Sequence, residues 1–186
     1  MTKLFSEGEA DKPIFDFVSC DRSRYEHIVR GEGDVFLFEG IQLLYPQVEK
    51  LLHKMNGKSI YLCAESGLRV GDVEISPIEL RLMRRLVRDC NFRGEEVGFT
   101  LDLWASVRRN EDINIYPYAH KCDVRIDTTQ PYELNILKPY LERYLGDIEP
   151  ESEYYGRAQS ILAPLRDICE ASRDHLSEDS LYREFV

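Results

Sequence analysis

Asp34-Val-Phe-Leu-Phe-Glu-Gly40 is the stretch on which the reading of the fold turns. A continuous β-prone run that closes on an acid and then a glycine suits a parallel strand covered on both faces. Such a strand delivers its terminal carboxylate, here Glu39, to the crevice where open α/β sheets bind ligands. Downstream of Gly40, Leu44, Val48, Leu51 and Leu52 recur at helical spacing over 41–55, and Asn56-Gly57 supplies a stop, which completes one βα unit.

Outward from this unit the alternation continues. Ser59-Ile-Tyr-Leu-Cys63 reads as a second buried strand, and 65–75, with Gly67 and Gly71, reads as loop. Ser76-Pro-Ile-Glu79 is a capping box with proline at the first helical position, followed by Leu82, Met83, Leu86, Val87 and Cys90 on one face. Gly94 breaks that helix, a second helix surrounds Trp104, and Cys122-Asp-Val-Arg-Ile126 gives a third strand before a helical stretch over 132–145. Strands alternating with helices imply an α/β fold with a parallel sheet and flanking helices. On the amino-terminal side, 14–18 reads as a short extended element and 25–30 as a brief edge segment or turn, and the first dozen residues are expected to be loose. An α/β domain is therefore expected over 1–146. An acidic linker, Asp147-Ile-Glu-Pro-Glu-Ser-Glu153, then opens a helical extension over 147–186 whose alternating tail, Leu181-Tyr-Arg-Glu-Phe-Val186, docks back on the domain.

The 186 residues suffice for a sizeable core, and 43% hydrophobic with 31% charged residues is ordinary for a globular chain. A formal net charge of -10 argues against a general nucleic-acid binder, because phosphate-backbone affinity rests on Lys and Arg. Five cysteines without CxxC spacing indicate reduced thiols rather than a disulfide framework or zinc site. No stretch approaches the roughly 20 apolar residues that span a bilayer, so the expected setting is cytoplasmic and free of membrane.

In so acidic a chain any anion must be met locally. Arg81, Arg84, Arg85, Arg88 and Arg93 fall within thirteen residues of the capped helix and its end. Positions 81, 85 and 88 stack within about two turns, and converging guanidinium forks bind phosphate bidentately. The competing reading is a solvated helix face paired with Glu79, Asp89 and Glu95. Glu39 carries two readings as well. It caps the following helix electrostatically, or it orients Mg²⁺, which takes one or two carboxylates together with substrate phosphates. Asp16 and Asp21 are secondary acids. His27, His53, His120 and His175 lack ligand spacing, Trp104 reads as core, and Tyr116-Pro-Tyr118 reads as packing or as an aromatic wall beside a base.

Several of these segments resemble the uridine kinase and phosphoribulokinase family, most closely its bacterial nucleoside-kinase-like members. Pro13-Ile-Phe-Asp-Phe17 with Arg22 is similar to the family's substrate-side P-x-Y-D-F segment, and Phe38-Glu-Gly-Ile41 to its E-G-I strand end. Arg84-Arg-Leu-Val-Arg-Asp89 with Arg93-Gly94 resembles its lid motif R-R-x-x-R-D-x-x-x-R-G. Trp104-Ala-Ser-Val-Arg-Arg-Asn-Glu111, Asn114-Ile-Tyr-Pro-Tyr118, Tyr132-Glu-Leu134 with Leu137-Lys138, and Arg183-Glu-Phe185 resemble the bacterial subgroup.

The resemblance implies a P-loop-kinase-like sheet and ATP- and Mg²⁺-dependent transfer of a γ-phosphoryl group to a nucleoside or other sugar hydroxyl. Glu39 would then serve as the catalytic and metal-binding acid. Phe15 and Asp16 would face the substrate, and Arg85, Arg88 and Arg93 would meet substrate and phosphates. The sequence departs from the family in holding no G-x-x-x-x-G-K-[S/T] loop, with Phe15 for a common Tyr, Cys20 for a His of some members, and Glu95 where a base often follows the lid glycine. Because phosphoryl transfer depends on the loop that positions the β- and γ-phosphates, the chain alone is expected to be inactive. The sheet is expected to lack its Walker A strand, which leaves an edge for a second copy or for a partner that supplies it. The alternative is a degenerate relative that binds a nucleotide or phosphate as a regulatory module.

Overall fold

The computed structural model describes residues 2–16 and 21–186. In chain order the elements are α1 (Thr2–Glu7), β1 (Glu9–Asp16), β2 (Asp21–Val29), α2 (Pro46–Lys54), β3 (Ile60–Cys63), β4 (Leu68–Val70), β5 (Val73–Ile75), α3 (Pro77–Arg88), α4 (Val97–Asn114), α5 (Tyr116–Ala119), β6 (Val124–Asp127), α6 (Glu133–Leu145) and α7 (Tyr155–Leu162). Short 3₁₀ turns follow α7 and close the chain at Leu181–Glu184. Two compact units form, one from Met1–Ile60 with Asn110–Val124, the other from Tyr61–Arg109 with Arg125–Val186.

The class is mixed α/β, and the expected multi-stranded parallel sheet is absent among the described residues. Three two-stranded sheets take its place: antiparallel β1–β2, antiparallel β4–β5, and a parallel β3–β6 pair. The decisive stretch 34–40 is extended but joins no ladder. Its side chains still alternate: Phe36 and Phe38 pack on Phe5 of α1, with centroids 5.9 and 6.2 Å away, whereas Val35 and Leu37 stand 95% and 92% exposed. A parallel strand is stable when neighbours pair its backbone and helices cover both faces, and this run has aromatic cover on one face only.

In the first unit the amino-terminal residues are ordered as α1 and β1, where a loose start is expected from sequence. The expected edge segment at 25–30 is part of β2, in register Glu9↔Val29 through Asp16↔Asp21. Cross-strand pairs stabilise this ribbon: Lys12 to Glu26 at 2.8 Å, and Asp11 to His27 at 2.9 Å. Phe17, Val18 and Cys20, which carry sequence expectations, lie outside the described residues. The stop after α2 forms as read. Asn56 is left-handed at φ 55, and the Gly57 N–H donates to the Leu52 carbonyl at 3.1 Å, a Schellman closure. Residues 110–124 are tied in by Asp123, whose carboxylate accepts from the Ser59 N–H and hydroxyl at 2.9 Å each and from Lys58 at 2.8 Å. These bonds hold the Asp123 carboxyl well below its ordinary range, the Lys58 contact foremost.

In the second unit the capping box forms as expected: Ser76 Oγ accepts from the Glu79 N–H at 3.2 Å and Pro77 takes the first helical position. Leu80, Leu82, Met83, Leu86 and Val87 of α3 then bury completely against Leu134, Ile136, Leu137, Leu141 and Leu145 of α6. Each such Leu contributes about 1.5–3 kcal/mol by leaving water. Where loop is expected, 68–75 forms the β4–β5 hairpin around Gly71 at φ 57, and the alternation Leu-Arg-Val-Gly-Asp-Val-Glu-Ile carries that signal. Pro139 lies inside α6 and has no N–H for the Asn135 carbonyl four residues back. The Ala171 N–H fills that vacancy at 3.0 Å, so the proline helps dock the segment after α7. Trp104 packs partly buried against this core, as the sequence suggests.

Candidate functional site

The end of α3 is where the sequence places most of its chemistry. The helix does not stop at Arg88 but widens into a π turn over Asp89–Arg93, closed by left-handed Gly94 at φ 67 whose N–H returns to the Asp89 carbonyl. Such widened turns are uncommon inside helices and concentrate at functional sites. The first residue of this turn is an inward-facing acid. Asp89 is 1% exposed; its Oδ2 accepts from Arg85 Nε and from the Thr100 hydroxyl, both at 3.0 Å, and its Oδ1 accepts from Arg93 Nη1 at 2.8 Å.

One carboxylate is thus saturated by two guanidiniums and a hydroxyl, and a third guanidinium remains. Arg88 Nε is buried with no hydrogen-bond partner, and the guanidinium carbon lies 6.0 Å from the centre of the Phe185 ring. Burial, and after it the positive charge of Arg93, pushes the Arg88 pKa below its ordinary value; Arg85 adds to the decrease, while Asp89 and Glu184 oppose it. Three cations therefore face one buried anion at the turn, with exposed Glu184 as a more distant counter-charge.

Of the five arginines read from sequence, Arg85, Arg88 and Arg93 are brought together. Arg84 is not part of this group. Its Nη2 meets Glu133 Oε2 at 2.6 Å and the Tyr182 hydroxyl at 2.9 Å, and its Nη1 donates to the Thr128 hydroxyl at 3.0 Å, all in the core. The competing solvated-face reading expects Arg84 on the polar side of α3, whereas it is 6% exposed. Arg85 and Arg93 do pair with Asp89, as that competing reading expects, but with an acid that is buried rather than solvated. Thr100 and Phe185 escaped sequence reasoning as site residues, because each reaches the turn from a distance along the chain that no local spacing encodes, and Asn91, on the turn itself, gains its role only through the distant Phe185 carbonyl.

Glu39, Phe15 and Asp16 belong to the first unit. Glu39 is exposed on the unpaired 34–40 run rather than at a strand end, and Phe15 is exposed on β1. Among the described residues no group of three or more His, Cys, Asp and Glu is poised around a metal-sized space. The arginine turn, with its one acid already satisfied, has the donor set of an anion site and would repel Mg²⁺. A hollow in the first unit has an apolar floor of Leu43, Leu44 and Leu52 beside Tyr118, and its cations are occupied: Lys58 by Asp123 and Lys121 by Glu49 at 3.3 Å. Cys63, Cys90, Cys122 and Cys169 form no disulfide. No helix among the described residues is long and apolar enough to cross a membrane. Comparison of the chain with protein-family models, with curated proteins and with solved structures finds no match.

Proposed function

We propose that this chain binds the phosphoryl group of a nucleotide-class ligand on its arginine turn, as the phosphate-binding part of a uridine-kinase-like phosphotransferase or of a degenerate relative. The observation that carries the reading is the orphaned Nε of Arg88 beside two arginines whose shared acid is already saturated. A buried donor without a partner costs about 1–3 kcal/mol, and a phosphate oxygen would recover that cost through a charge-assisted bond. Arg85 would keep Asp89 and turn its remaining N–H groups to the same anion, with the charge of Arg93 beside it. Phe92, 56% exposed on the π turn, offers a face on which an aromatic base can stack.

ATP, Mg²⁺ and a nucleoside or sugar hydroxyl remain what the family resemblance suggests. Glu39 is the residue this reading would give the metal. The residues at the turn suit phosphate and not a divalent cation. Binding, not turnover, is the activity this proposal assigns to the chain by itself.

The test is calorimetric titration with uridine 5′-monophosphate, inorganic phosphate and Mg·ATP. Arg88→Ala should weaken phosphate-ester binding by roughly 10- to 100-fold, the span of a hydrogen bond to a charged group, with the far-ultraviolet circular dichroism unchanged. Equal affinity in the wild-type and Arg88→Ala proteins would discard the site.

A further inference from the structure

The carboxyl-terminal residues converge on the same arginine from the other side. Ser180 caps the closing 3₁₀ turn through its hydroxyl, which accepts from the Tyr182 N–H at 3.3 Å. Tyr182 is buried, and its hydroxyl reaches Arg84, Glu133 and the Thr128 carbonyl, which pins the start of the tail into the core. Three residues on, the Phe185 carbonyl accepts from Asn91 Nδ2 at 2.8 Å, and Asn91 lies on the π turn itself, braced by the Tyr144 hydroxyl. The Phe185 ring lies between two guanidiniums, Arg84 at 5.7 Å and Arg88 at 6.0 Å. Val186 is buried beside it, while Glu184, next in the chain to Phe185, is exposed and within electrostatic reach of Arg88.

We infer that residues 181–186 form a wall of the anion site: Phe185 positions Arg88, Glu184 acts as its resident counter-charge, and docking of this segment is coupled to phosphate binding. The inference rests on the arginine turn being an anion site. An aromatic face attracts a guanidinium and fixes its plane before a ligand arrives, so less ordering cost falls on binding. A carboxylate nearby has the opposite influence. It lowers the local positive potential that an incoming phosphate would feel. Coupling of this kind is reciprocal: a ligand that favours the docked tail is itself favoured by docking.

Two substitutions with opposite signs test this. Phe185→Leu keeps an apolar side chain of similar bulk under Arg84 and removes the aromatic face, so affinity for uridine 5′-monophosphate should fall about three- to tenfold, with Phe185→Tyr restoring it. Glu184→Gln, at an exposed position, should raise affinity about two- to threefold, and the gain should shrink with added salt. Hydrogen exchange of the amides over 182–186 should slow several-fold in the wild-type protein at saturating monophosphate. If the wild-type protein binds monophosphate while both variants match it and exchange is unchanged, the wall is overturned and the arginine site stands. If the wild-type protein binds no monophosphate and no inorganic phosphate, the site is overturned and the wall with it. Phe185→Leu binding as tightly as wild type, with folding intact by circular dichroism, is enough to refute the positioning role.

Discussion

The α3 helix and the 34–40 run are written in similar apolar residues and end differently. In α3, Leu80, Leu82 and Val87 lose all their exposure to a facing helix, and the capping box, the glycine stop and the periodicity agree with one another. In 34–40 the period-two pattern is equally clean, yet half of it faces water and no ladder forms. Periodicity states which side chains share a face. Burial also needs a surface opposite, and α6 gives α3 that surface.

The largest expected effect that sharpens this contrast is at Glu133. Its carboxylate accepts from Arg84 and Tyr182 and from the Gln130 N–H at 3.2 Å, all out of water, which pushes the Tyr182 hydroxyl far above its ordinary pKa, burial being the first cause. Glu133→Ala should destabilise the second unit by about 3–5 kcal/mol, because it leaves a buried guanidinium without its counter-charge. Urea unfolding followed by Trp104 fluorescence measures it. On the other side of the comparison, Val35→Ser with Leu37→Ser should change the unfolding of the first unit by no more than about 0.5 kcal/mol, since neither side chain leaves water on folding. A loss of several kcal/mol from that pair would mean the 34–40 run is covered after all, and the contrast would fall.

A middle-sized effect lies at the start of α3. Ser76→Ala removes the acceptor for the Glu79 N–H and should cost about 1 kcal/mol, read as a shift of the urea midpoint at constant slope. A larger cost would show that the cap also fixes the β4–β5 hairpin that leads into it.

These magnitudes follow what could be read from the chain. The cap at Ser76, the stop at Asn56-Gly57, the buried face of α3 and the gathering of Arg85, Arg88 and Arg93 were legible, because each depends on residues within a few positions of one another. The inward turn of Arg84 was not, since its partners Thr128, Glu133 and Tyr182 lie 44, 49 and 98 residues away. Asp89 reads as one of three surface acids, yet it continues the buried face of α3, seven residues after Leu82 and three after Leu86. The β4–β5 hairpin is legible in its alternation, against which Gly67 and Gly71 within 65–75 suggest loop. The parallel sheet failed for the opposite reason: a strand's neighbours are not written in the strand.

The smallest effect concerns the β1–β2 ribbon, where stabilisation comes from exposed pairs rather than from a core. His27 sits opposite Asp11 in the register, hydrogen-bonded at 2.9 Å, with Glu9 Oε2 3.5 Å from its other ring nitrogen. The bond to Asp11, chiefly, raises the imidazole pKa above its ordinary 6.5, against an opposing loss of hydration. A raised folded-state pKa means that the protonated ring favours the folded ribbon. That contribution is complete below about pH 6.5, the unfolded value, and fades as pH rises through the higher folded value. Salt should reduce it, since the partners are in water. A proton NMR titration of His27 should therefore give a midpoint above 6.5 that falls back toward it in Asp11→Asn, and amide exchange over 21–29 should quicken between pH 6 and 8 by more than base catalysis explains. A midpoint that Asp11→Asn leaves unmoved would show that the ribbon is held by its backbone ladder alone, and the two units would then differ in kind and not merely in how deeply their charges are buried.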